Sequence, residues 1–224
     1  MRPTTSLPYP AARSAGLLLM AAMILTLSGC QSLYYNTMEK FGIEKREIMV
    51  DRVENARDAQ TDAQETFRSA LAQFQSVVGE PDTELQEKYE SISSAYEDSE
   101  QAAERVNERI EKVEEVASAL FAEWEEELER YSSPELKRDS RNKLEATQKR
   151  YDSLIAAMHN AAERMDPVLQ AFEDQVLYLK HNLNAQSVRG MQGELDRIEQ
   201  DVDALVEQMQ KSIAESERFI KGLE

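Results

Sequence analysis

From Met49 onward, apolar and small residues return at alternating intervals of three and four, a period that admits helices and little else. The first run is Met49, Val53, Ala56, Ala63, Phe67, Ala70, Phe74 and Val77, with Gln60 as a polar gap. The second is Leu85, Tyr89, Ile92, Tyr96, Ala103, Val106, Ile110, Val113, Ala117, Leu120, Trp124 and Tyr131, with Ser99 and Glu127 in the gaps. A third passes through Leu144, Thr147, Tyr151, Leu154, Met158, Ala161, Met165, Val168, Phe172 and Leu179. The last comprises Val188, Met191, Leu195, Ile198, Val202, Leu205, Met209, Phe219 and Leu223, with Ser212 and Ser216 as gaps. An alternation sustained this long is a coiled-coil signal and excludes disorder, despite the charge density.

Three short stretches break the stripes. In "VGEPD" Gly79 accepts a positive φ and Pro81 cannot continue a ladder; Asp82 or Thr83 then offers a cap, with Gln86 completing a capping box from Thr83. "YSSPEL" offers Ser132 or Ser133 as a cap, Pro134 in a first turn, and Glu135 as the box partner of Ser132. "KHNLNAQS" supplies the last turn, with Asn184 as cap. The spacing predicts helices over 41–78, 83–131, 134–181 and 185–223. Their similar lengths, near 70 Å at about 1.5 Å per residue, predict an all-α fold: an elongated antiparallel bundle of about four long coiled-coil-like helices. A dimer of hairpins fits the same period. The third stripe crosses Pro167 in phase, which predicts a kink in a continuing helix, with a break as the alternative. Gly190 and Gly193 each cost about 1 kcal/mol against Ala and soften the start of the fourth helix.

The balance of 43 Asp+Glu against 26 Lys+Arg, a net charge of −17, opposes nucleic-acid binding, which needs a basic face, and also broad electrostatic docking onto anionic lipid. Between residues 82 and 131 stand 17 acids and five bases, densest in "EWEEELE" at 123–129. Across the next turn "ELKRDSRNK" at 135–143 is locally basic. In an antiparallel hairpin the two segments face each other and set register. A basic foot on phospholipid headgroups is the second reading of the same segment.

Residues 1–29 carry Arg2 and Arg13, no acid, and the apolar run Ala15–Leu27. That run is shorter than the roughly 20 residues needed to cross a bilayer, and with its basic flank it reads as an export signal. "Leu27-Ser28-Gly29-Cys30" resembles the lipobox of bacterial lipoproteins and contains the single cysteine of the chain. The resemblance implies cleavage between Gly29 and Cys30, acyl transfer to the Cys30 thiol (palmitate being the usual chain), and anchoring without a transmembrane helix. Gln31 in place of Asp favours the outer membrane over the inner, with the body facing the periplasm. Losing Arg2 and Arg13 would take the net charge from −17 to −19. The domain reading is therefore a signal peptide over 1–29, an anchor and linker over 30–40, and a bundle over 41–224.

The lipobox, the segment "SLYYNTMEKFGIEKREIMVDRVENARDAQ" at 32–60 and the long helical remainder resemble an uncharacterised family of proteobacterial lipoproteins, known as a domain of unknown function. The family implies no activity. Tyr34, Tyr35, Phe41 and Ile43, just after the anchor, read as a staple at the base of helix one, or as residues at the lipid interface.

Candidate chemistry is sparse. His159 and His181 are about six helical turns apart, and His159 with Glu163 makes at most two metal ligands, so no metal site is predicted. The acid run at 123–129 lacks calcium-loop spacing. Gly190-Met191-Gln192-Gly193 has the spacing of a nucleic-acid loop without basic company. Phosphate-cradling and nucleophile-elbow patterns do not occur, so neither catalysis, nucleotide nor cofactor is expected. The leading expectation is a non-enzymatic envelope spacer or scaffold, joined to the membrane by its lipid and to a protein partner, or to itself, through its helices. The alternative is an accessory subunit of an export or efflux assembly, docking through Leu169, Val176 and Leu183, whose seven-residue spacing also fits a wider core. An enzyme acting on cell-wall or lipid substrates would need paired carboxylates in a pocket.

Overall fold

The computed structural model describes residues 45–79, 85–182 and 185–223, with side chains left out at Gly79 and at 185–189. The predicted signal, Gly29, Cys30, the linker, the aromatic staple, the turn at 80–84, Leu183 and Asn184 lie outside the described residues. The chain divides into two units, Met1–Lys45 and Arg46–Glu224, and the second holds the bundle.

Its helices are α1 (Lys45–Gly79), α2 (Leu85–Arg130), α3 (Pro134–Glu163), α4 (Met165–His181) and α5 (Ala185–Leu223). Together α3 and α4 form the third long helix, so four long helices pack antiparallel, as predicted. Pro167 has no N–H to give Glu163, and its ring crowds that carbonyl. The ladder accordingly breaks at Arg164, yet Arg164 keeps right-handed helical angles (φ −77°, ψ −14°) and the stripe stays in phase. Met158, Ala161, Met165, Val168 and Phe172 are all buried across the joint.

Long-range contacts fix the register. Lys88 of α2 reaches the Val77 carbonyl of α1, and Ser91 Oγ donates to Gln73 Oε1. Gln64 Nε2 donates to the Val206 carbonyl, setting α1 beside α5. Trp124 Nε1 donates to Ser140 Oγ between α2 and α3 at 2.9 Å. Rings lock two levels of the core. Phe172 stacks on Phe74 at 4.6 Å and on Phe67 at 6.3 Å, and lower down Tyr151 meets Phe121 at 5.4 Å and Phe219 at 6.4 Å. Each fully buried Phe contributes about 1.5–3 kcal/mol by area alone.

Four of the five polar gaps prove to lie inside as well. Gln60, Ser99, Ser212 and Ser216 are completely buried. Ser99 Oγ donates to the Ala95 carbonyl and Ser216 Oγ to the Ser212 carbonyl. Neither amide atom of Gln60, nor Ser212 Oγ, has a hydrogen-bond partner.

Helix ends are closed by specific groups. Ser133 caps α3, accepting from Leu136 N–H, so the capping box expected from Ser132 and Glu135 is not the one used. Buried Lys88 covers a carbonyl in the last turn of α1, where a cation is favoured. Asn182 satisfies the Tyr178 and Leu179 carbonyls at the end of α4.

The second stripe departs from expectation at its end. Leu128 is buried while Glu127 and Tyr131 are exposed. The α1–α2 contacts put Arg46 level with residues near 119 of α2, and α5 ends at Leu223, near the same level. Beyond it, among the described residues, α2 and α3 continue as a helix pair for about 17 Å, and two helices enclose a narrower seam than four.

Candidate functional site

The α2–α3 hairpin end concentrates the charge. Only part of the acid run meets the basic run. Glu129 accepts from Lys137 Nζ at 2.9 Å with Arg141 Nη2 4.0 Å away, and Gln148 donates to Glu125. Lys143 pairs instead with Asp139 on its own helix. The hydrogen bond and charge of Lys137 hold the Glu129 carboxyl below the usual carboxylate range; Lys211 does the same for Glu207 on α5. At the turn itself Tyr131 and Leu136 stand exposed, next to Arg130 and Arg138.

At the opposite end, Leu177 and Tyr178 are exposed in the last turns of α4. The phenol of Tyr178 lies over Gly190 of α5, where a methyl group would come within 2.9 Å of its hydroxyl oxygen. Gly190 and Gly193 thus sit in a continuous helix rather than in a loop, and Gly190 leaves room for an aromatic ring. Val176 is packed inside, Leu169 is half-buried, and Leu183 lies outside the described residues, so their shared spacing describes a wider core more than a free docking face.

His159 does not turn to Glu163. Its Nε2 lies 2.9 Å from Glu114 Oε1 on the facing helix, in an exposed pair, and His181 is exposed at the end of α4. Close by, burial first and then the charges of Glu114 and Asp152 push the Tyr151 phenol up to about 12. Burial, then Glu100 and Glu173, raise Tyr96 as well. Among the described residues no three His, Cys, Asp or Glu side chains converge as metal ligands. No described helix is long and apolar enough to cross a membrane.

A groove of about 440 Å³ runs between α1 and α2, lined by Thr66, Ser69, Gln73, Ala95, Gln101 and Arg105, with Glu65 and Asp98 also on its walls. Both carboxylates are exposed.

Over residues 34–223 the chain matches the family described as "Protein of unknown function (DUF2959)". No curated protein and no solved structure matches it. The chain belongs to this family of unknown function, which covers the whole helical body.

Proposed function

We propose that this protein is a lipid-anchored component of a bacterial cell envelope, a non-enzymatic helical spacer held to the outer membrane through Cys30. In this reading it meets a periplasmic protein partner at the end of the bundle carrying Leu177 and Tyr178. The observation that carries the reading is how the stripes are used: each long helix spends its apolar face on the common core. What is left for recognition among the described residues lies at the ends, where four large apolar side chains remain exposed. The lipobox resemblance of residues 27–30 supports the anchor, and the 15 steps along the chain from Cys30 to Lys45 give it at most about 50 Å of reach. Several acyl chains hold a protein nearly permanently.

Two experiments test this. The mass of the Cys30 peptide from membranes is expected to include diacylglycerol and an amide-linked acyl chain; an unmodified, uncleaved peptide would refute the anchor. In-cell photo-crosslinking from probes at Gln86 and Tyr178 is expected to give a discrete protein adduct that a probe at Tyr131 does not. Adducts to nothing, or equally from all three positions, would refute a partner at that end.

A further inference from the structure

The two ends of the bundle look alike in one respect and differ in another. Tyr131 and Tyr178 are each 42 % exposed, about 70 Å apart along α3 and α4. Around Tyr131, however, Leu136 is 58 % exposed, the most exposed of the large apolar side chains, and it projects from the first turn of α3. Arg130 and Arg138 flank the pair and form no ion pair among the described residues. From Glu129 to Asp139 there are three bases and three acids, a locally balanced tip on a strongly acidic protein, and Lys137 is already paired with Glu129, so Arg130 and Arg138 are the cations left for phosphates. Among the described residues this tip also reaches about 17 Å past the level of Lys45 and of Leu223. An aromatic and an aliphatic side chain with arginines beside them match the boundary between acyl chains and phosphates.

We propose that the α2–α3 turn docks on a phospholipid bilayer, with Tyr131 and Leu136 entering the headgroup layer and Arg130 and Arg138 on its phosphates. The proposal rests on the lipid-anchored reading for its orientation, because α1 starts at this end of the bundle. Cys30 precedes Lys45 by 15 positions, at most about 50 Å of chain, which sets the upper limit on how far the hairpin end can stand from the membrane holding the lipid. The bundle would then stand on two feet, one covalent and one adsorbed, which restrains its tilt and presents the Tyr178 end to the periplasm.

Trp124 is the single tryptophan, so the tip can be read by moving it. Full-length protein purified from membranes is reconstituted into phosphatidylethanolamine–phosphatidylglycerol vesicles containing a headgroup spin-labelled lipid. Two variants are compared, Trp124→Phe with Tyr131→Trp and Trp124→Phe with Tyr178→Trp, with helicity checked for each. The tryptophan at 131 is expected to be quenched several-fold more strongly than that at 178, and Arg130→Glu with Arg138→Glu is expected to remove the difference. Equal quenching, none at 131, or quenching at 178 alone would overturn the proposal, a protein-facing tip among the causes. The mass of the Cys30 peptide is read on the same sample. A missing acyl chain would sink the anchor, while quenching at 131 would still decide for or against docking.

Discussion

One heptad apart on α1, Gln60 and Phe67 occupy the same kind of position and obey opposite rules. Both are completely buried. Phe67 joins Phe74 around Phe172 in a stack of rings, whereas Gln60 brings two amide atoms into the core and partners neither. On α5, Ser212 repeats the pattern with an unpartnered hydroxyl, and the Gln64–Val206 contact puts it close to the level of Gln60. The helical period therefore places residues without regard to cost. One layer gains from burial and dispersion; the other gives up hydration, about 1–3 kcal/mol for each unsatisfied group. A polar layer tolerated at that cost is suited to fixing register, since a slip would set Gln60 against rings.

Substitutions can break this contrast, beginning with the largest effect. Phe172→Ala removes the ring shared by Phe67 and Phe74 and is expected to cost about 3–5 kcal/mol, seen as a lower urea midpoint. A loss under 1 kcal/mol would mean that the rings repack freely. Gln60→Met, close in volume, is expected to act in the opposite direction, raising stability by about 1–3 kcal/mol with the urea slope unchanged.

Tyr151 stands between the two cases, an aromatic with a polar handle. It ionises at about 12 in the fold and near 10 when unfolded. Its contribution is thus complete below pH 10, shrinks as pH rises from 10 to about 12, and is gone above. Tyr151→Phe is expected to flatten the alkaline fall in stability, leaving the smaller slope from Tyr96, whose phenol is also raised. An identical alkaline profile for the variant would contradict the assignment. The smallest effect belongs to the surface. Lys137→Ala breaks an exposed pair with Glu129 and is expected to leave the urea midpoint nearly unchanged, while the Glu129 titration moves back up.

Particular residues show what was legible in the sequence. Met49, Val53, Phe67, Phe74, Ile110, Leu154 and Ile198 were readable as core because spacing alone places a side chain on a face. That Ser99, Ser212 and Ser216 lie inside was implied by the same spacing; whether each finds a partner depends on the facing helix. Lys88 was illegible for that reason, because the carbonyl it caps belongs to α1. His159 looked tied to Glu163 by helical proximity, and Glu114 across the hairpin wins instead. The exposure of Tyr131 goes with α2 outrunning its neighbours among the described residues, a matter of relative helix lengths rather than of any local pattern. Of the candidate site, residue chemistry at the hairpin end was readable as charge blocks, while the exposed pair Tyr131 and Leu136 emerged only from the fold.

The bundle requires one chain to close its own core, with α1 antiparallel to α5 in the register set by Gln64 and Val206. The most direct test is a pulsed electron-resonance distance between spin labels at the exposed positions Thr61 and Gln210, recorded with the labelled protein diluted into unlabelled protein. Helices packed 8–10 Å apart predict a separation below about 30 Å that persists on dilution. A distance above about 40 Å, or a short distance lost on dilution, would contradict the single-chain bundle and point to hairpins paired between chains.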